Sequence, residues 1–302
     1  MTLSNDNTVA LVTGADNREM VRQALTLLGE PFQKLIRESK RIFIHPNLVT
    51  HFRKSATASA ETVRGVLDHI ALVRNDEVLI GDAGFHDTKK AFRKFEYDSL
   101  SRSANIRLFD LNDDQTVDSF AYTEDFKKRA IPFSKTVADA DCNIIVVPAK
   151  MHAYTMVSLS IKTHIIGSQV VPKSPFGIYA RWPWNHTGYR QFHMTLADVY
   201  VEHPAQLAII DGTTAMEGNG PAMGHTLDLG WLIASLNPVA ADALAAYLMG
   251  IKPEDVGYLY YLSQKGIGPI DVSGMRILGQ SPERLKRELR KPSSYSVISR
   301  WK

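Results

Sequence analysis

CNIIVV, residues Cys142 to Val147, is apolar at nearly every consecutive position. A strand with one wet face alternates apolar and polar residues, because successive side chains point to opposite sides. An unbroken run instead marks a strand covered on both faces, as in a parallel sheet flanked by helices. Working outward, the same unit recurs. Val9 to Gly14 reads as a strand ending in a glycine turn, followed by a helical stretch, Arg18 to Ser39, with a break at Pro31. Arg41 to Ile44 is the next strand, stopped by Pro46, and Thr57 or Ser59 caps a helix that lines up Val63, Val66, Leu67 and Ile70. Val78 to Gly81, a helix over Thr88 to Ser103 and the strand Ile106 to Leu111 continue the alternation. In the second half the expected strands are Leu207–Ile210, Trp231–Ala234 and Met275–Leu278. The expected helices there are Thr195–Glu202, Val239–Met249, Glu254–Lys265 and Pro282–Leu289. Strand, helix, strand, repeated, predicts an α/β fold: a largely parallel sheet flanked by helices, in two intimately packed lobes over 1–150 and 151–302.

Composition narrows the function classes. The 302 residues are 44% hydrophobic and 22% charged, which excludes disordered, coiled-coil and collagen-like chains. No apolar run approaches the roughly 20 residues of a membrane-spanning helix. Met1 to Asn7 is polar and lacks the order of a signal peptide. Cys142 is the single cysteine, so the chain forms no internal disulfide and no iron–sulfur cluster from its own cysteines, and a reducing cytoplasm is the expected compartment. The net charge is +3, and the basic runs Lys89-Lys90, Lys127-Lys128-Arg129 and Lys286 to Lys291 lack interleaved aromatics, which argues against a nucleic-acid partner. A small-molecule ligand and a homo-oligomer fit this composition; a membrane partner does not.

In such a sheet, ligands bind beyond the carboxyl ends of the strands. The polar residues there are His45-Pro46-Asn47, Asp82, Lys150, His152 and Asp211-Gly212. Turns alone also favour Asp, Asn and Gly at such places; several together suggest one shared crevice. His152 to His164, read as a helix, stacks Ser158 and Lys162 one turn apart, with Ser160 between them. His152 and Lys162 are the candidate catalytic pair. Asp211-Gly212 leads into Glu217-Gly218-Asn219-Gly220-Pro221 and Gly224, whose backbone amides suit an anion nest. Asp211 and Glu217, with Asp82, are candidate ligands for a divalent metal, since hard cations prefer oxygen. Asn237-Pro238 starts a helix in which Asp242 serves either the dipole or a ligand. The 168–193 loop, with Trp182, Trp184 and Tyr179, is long enough to be a lid or an interface. Its Arg181, Arg190, His186 and His193 are candidate anion-binding groups.

These motifs resemble the DUF362 family. The resemblance rests on His45-Pro46-Asn47-Leu48-Val49, Ile80-Gly81-Asp82, and His152 with Ser158-Leu-Ser160-Ile-Lys162. It rests further on Met216-Glu217-Gly218-Asn219-Gly220-Pro221 and Ser235-Leu-Asn237-Pro238-Val-Ala with Asp242, within about Arg41 to Gly279. Family members often carry cysteine-rich ferredoxin segments; this chain has none. His45 stands where a lysine is usual, and Thr163 and Asn237 stand where asparagine and aspartate are common. The chain is also distantly similar to the nickel-pincer lactate racemase family, in which a histidine precedes a lysine by ten positions, as His152 precedes Lys162. That resemblance implies a phosphate-bearing organometallic cofactor and histidine acid–base catalysis, with His193 or His186 as the later histidine. The combined expectation is an enzyme acting on a small carboxylate or phosphate, with a divalent metal or borrowed cofactor, by isomerisation, hydrolysis or redox chemistry. His45, Asn47, Ser160, Gly218 and Gly220 would contact the anion, and His152 would transfer protons. The alternative is a non-enzymatic carrier of a metal or cofactor.

Overall fold

A computed structural model describes residues 6–102 and 105–302. Most of the polar Met1 to Asn7 stretch and Ser103, the expected end of a helix, lie outside them. The chain opens with β1 (Thr8–Thr13), α1 (Asn17–Leu28), α2 (Glu30–Glu38), β2 (Ile42–Pro46), α3 (Ala60–Ala71) and β3 (Val78–Asp82). It continues through α4 (Thr88–Lys94), β4 (Ile106–Asp110), β5 (Thr116–Tyr122), β6 (Lys128–Ser134) and α5 (Lys135–Asp139). The centre comprises β7 (Cys142–His152), β8 (Met156–Ser158) and α6 (Ser160–Ile166). Beyond it come α7 (Trp182–Asn185), α8 (Tyr189–Glu202), β9 (Leu207–Glu217), β10 (His225–Leu227) and β11 (Trp231–Ser235). The last elements needed here are α9 (Pro238–Leu248), α10 (Gly257–Gln264) and β12 (Arg276–Gly279).

The main sheet runs β12-β1-β11-β9-β7-β2-β3-β4. Every adjacent pair from β9 to β4 is parallel, as is β1 with β12; β11 runs antiparallel to both of its neighbours. The α/β, largely parallel reading is therefore the observed one. The boundary drawn between 150 and 151 falls inside β7, and β1 sits between β11 and β12, so a single sheet joins the first and second halves.

All eleven positions of β7 are buried. Cys142, Ile144 and Val146 enter the core beneath α1 and α3; Ile145, Val147, Ala149 and Met151 enter the core beneath α8 and α9. Alternation persists, but both of its phases are apolar, which is why the run reads as continuous. The break expected at Pro31 is made two residues earlier, where Gly29 takes a positive φ of 60° between α1 and α2. Ser59 caps α3 by accepting from the Glu61 amide, as its sequence position suggested.

The structure departs from the sequence reading in three places. The helix expected from His152 to His164 is instead the end of β7, a tight turn through Met156 (φ 66°), the short β8 and only then α6. Lys150, Met151 and His152 pair with Ser158, Val157 and Met156. The apolar spacing of Tyr154, Val157 and Ile161 matches a helix, but pairing with β7 satisfies the same residues and wins. The Thr88–Ser103 helix stops at Lys94. The β5–β6 hairpin has its own two-stranded sheet, and its polar, half-buried sequence gave no strand signal.

Gly81 lies against β4 so closely that a Cβ there would overlap the Phe109 carbonyl oxygen. Gly81→Ala is expected to lower stability by about 2–3 kcal/mol, because backbone cannot yield as a side chain can. Urea denaturation followed by circular dichroism measures it, and an unchanged midpoint would contradict this packing.

Candidate functional site

Because β2, β3 and β7 are parallel and adjacent, their carboxyl ends open on one side, and the residues just beyond them converge. Asn47, Asp82 and His152 come from these three ends, and the first turn of α6 adds Lys162. They line a crevice of about 480 Å³, roofed by Phe85, Trp182 and His186 and by Gly220-Pro221-Ala222.

The imidazole of His152 is fixed by backbone. Its Nδ1 accepts from the Tyr154 amide at 3.0 Å and the Thr155 amide at 3.2 Å. An accepting Nδ1 leaves the proton on Nε2, so His152 offers the crevice an N–H. Burial, together with Lys162, His186 and Lys150, holds its pKa well below the ordinary histidine range. His152 is thus a neutral hydrogen-bond donor to the crevice. Lys162 Nζ has no hydrogen bond or ion pair with any described residue. Burial lowers its pKa to about 8, partly offset by Asp82.

Asp82 is already engaged. His45 Nε2 donates to its Oδ1 at 3.0 Å and the Leu48 amide to its Oδ2 at 2.7 Å. His45 is fully buried behind the crevice, so it holds Asp82 and does not meet a ligand. Asn47 links two elements: Nδ2 donates to Thr163 Oγ1 at 3.3 Å, and Oδ1 accepts from Lys150 Nζ at 2.5 Å. Lys150 also donates to the Ala56 carbonyl, and burial, then Lys162, lowers its pKa to about 7. Its spacing in β7 gave no sign of this role; a lysine in an otherwise dry strand was the available signal.

Other candidates sit elsewhere, each with its own partners. Arg181 reaches the crevice, but its guanidinium donates to the carbonyls of Gln169, Gly84 and Tyr179 and to Asn112 Oδ1, which fixes the loop. Ser160 and Asp242 form a buried cap: the Ser160 amide and hydroxyl, the Ile161 amide and the Tyr258 hydroxyl all donate to the Asp242 carboxylate. Asp242 therefore caps α6, not its own helix, and orients the turn carrying Lys162. His193 is buried, accepts from the Tyr258 amide and lies outside the crevice; Arg190 is exposed beside the Tyr261 hydroxyl. His186 does reach the mouth, stacked on Tyr154 at 3.9 Å.

The metal reading also changes. Asp211 accepts from Asn17, Thr62 and Thr213, tying α1 and α3 to β9, and does not line the crevice. Glu217 pairs with Arg290. Asp82, Asp211 and Glu217 do not meet, and among the described residues no group of three His, Cys, Asp or Glu could hold a metal ion. The glycine loop is no free nest either: Gly218 N donates to the Arg290 carbonyl, and Asn219 Oδ1 accepts from Ser293. Gly220 is required because a Cβ there would overlap the Met151 carbonyl oxygen.

Residues 42–247, spanning these strand ends, match the family model described as a domain of unknown function, DUF362. The chain belongs to the DUF362 family. A thylakoid-associated protein from Synechocystis sp. is 22% identical to this DUF362 chain over 239 residues, covering 78% of this chain and 70% of that protein. The lactate racemase apoprotein from Thermoanaerobacterium thermosaccharolyticum shares the fold, with a TM-score of 0.50 at 16% identity. The match covers 83% of this DUF362 chain and 60% of that structure. Among the described residues, no helix is long and apolar enough to cross a membrane.

Burial outweighs four donors and lifts the Asp242 carboxyl to about 6. Its folded pKa exceeds the unfolded value of about 3.9, so its contribution is complete below pH 4 and is lost as pH rises through 6. Asp242→Asn is expected to flatten the stability profile between pH 4 and 6. Asp242→Ala, leaving the α6 amides uncapped, should cost about 2 kcal/mol or more. Urea midpoints across that range test both.

Proposed function

We propose that the crevice binds an anionic molecule of the carboxylate or phosphate class and is the active site of an enzyme that moves a proton on it. The observation that carries this reading is the unpartnered Lys162 Nζ beside the His152 Nε2–H, in a crevice whose one carboxylate, Asp82, is already held by His45 and Leu48. A half-buried ammonium with no hydrogen-bond or ion-pair partner is costly, and an incoming anion reduces that cost. With a pKa of about 8, Lys162 is partly unprotonated near neutral pH and can exchange a proton with a ligand. The neutral His152 donates to an oxygen on which negative charge develops, and it is already oriented by the two amides on Nδ1. Asn47, locked between Lys150 and Thr163, supplies a polar wall.

The donor set does not suit a bare divalent ion, since the three carboxylates proposed for it are dispersed. It does suit a phosphate-bearing group of the kind the lactate racemase resemblance implies: Lys162 would neutralise the phosphate, with His152 and His186 at hand. Such a group would supply redox chemistry that these side chains lack. The single cysteine, Cys142, is buried and unpaired.

Inorganic phosphate and acetate serve as probes, measured by calorimetry on the whole chain. Lys162→Met is expected to weaken both about tenfold or more while leaving the fold's circular dichroism unchanged; equal binding in the variant defeats the reading. Affinity should fall as pH rises through 8, where the ammonium is lost, with the midpoint moved upward by bound anion. For turnover, solvent deuterium incorporation into a panel of carboxylates separates enzyme from carrier: binding with no exchange would favour the carrier.

A further inference from the structure

Polar groups cluster at the floor of the crevice, at the strand ends and the first turn of α6. The walls above are different. Val49, Phe85, Ile166, Trp182 and Pro221 line them. Thr50, His86, Tyr154 and His186 interrupt this surface with uncharged polar groups, and Arg181 has its guanidinium committed to three carbonyls and Asn112. The mouth is apolar too. Trp182 is 56% exposed, Phe52 is 66% exposed with its ring 4.9 Å from that of His86, and Met223, next to the lining Ala222, is 81% exposed. Large side chains left in water around a cavity mark a binding surface.

Size gives the same answer. The crevice, at about 480 Å³, is much larger than a two- or three-carbon acid. A short acid such as acetate or lactate, bound at Lys162, would leave most of that space as water against aromatic walls. Apolar ligand surface displacing that water is favourable, at about 0.8 kcal/mol per methylene. The charge count is equally restrictive: among the described residues that line the crevice, Lys162 is the one cationic side chain without a partner, which suits one head group and not two.

We infer that the ligand is an amphiphilic anion, a single carboxylate or phosphate head on an apolar acyl, prenyl or aromatic body, with the head at Lys162 and His152 and the body along Phe85, Trp182 and Ile166. This rests on the anion-binding reading above and specifies its substrate class. The same chemistry describes a substrate or an apolar-bodied cofactor. Mass spectrometry of small molecules released from the purified protein distinguishes them: a retained stoichiometric molecule is a cofactor, an exchanging one a substrate.

The test is a chain-length series. Dissociation constants for acetate, butyrate, hexanoate and octanoate are measured by calorimetry on the intact chain, with octanamide as the uncharged control and octyl phosphate beside inorganic phosphate. Affinity is expected to rise about fourfold per methylene until the crevice is filled. Lys162→Met should weaken every length by a similar factor and keep the slope. Trp182→Ser should make the slope shallower. Octanoate binding no tighter than acetate overturns the amphiphile while leaving anion binding intact. No binding of any anion, or octanamide binding as well as octanoate, overturns the anion-binding reading itself. A slope unmoved by Trp182→Ser would locate the apolar contact outside this crevice and also overturn the inference.

Discussion

A strand buried along its whole length must send its backbone hydrogen bonds to neighbours on both edges and its side chains into two separate cores. In β7 that requirement selects Cys, Ile, Val, Ala and Met for seven of eleven positions and leaves Lys150 and His152 at its carboxyl end, where the chain leaves the core. β2 pairs with it in parallel and β3 with β2, so Asn47 and Asp82 emerge on the same side. The crevice is the place where three such strands stop being dry.

That origin explains the electrostatics. Lys150, His152 and Lys162 are cationic or potentially cationic groups carried close to the core by a strand and a short helix, and each has its pKa lowered chiefly by burial. The groups differ in how they are neutralised. Lys150 is satisfied by Asn47 and Ala56, His152 is held neutral by two amides, and Lys162 has neither remedy. The asymmetry among three neighbouring bases is what gives one of them a ligand-dependent role. Arg181 illustrates the opposite outcome: a charge brought to the same place but used to fasten residues 84, 112, 169 and 179 together.

The sequence made the sheet legible because its strands are apolar in both phases and bounded by Gly, Pro and Asn. It also located the strand ends, so Asn47, Asp82 and His152 were identifiable from position, whereas Lys162 was singled out on a helix longer than the one observed. What it hid was direction and partnership. Asp211 and Asp82 have the same appearance at a strand end, yet one binds Asn17 and Thr62 and the other faces the crevice. Ser160 and Asp242 are 82 positions apart, and nothing local announces that the second caps the helix begun by the first. The glycines after Glu217 looked like an anion nest, but residues 290–293 occupy them. Partners separated by scores of residues leave no periodic trace.

The position of β1 has a kinetic meaning. This apolar segment, among the earliest in the chain, finds its hydrogen-bonding neighbours only in β11 and β12, more than two hundred residues later. Until those are made, both of its edges lack hydrogen-bonding partners. Closing pairings of such sequence separation slows folding, a cost set by connectivity and independent of anything the crevice binds.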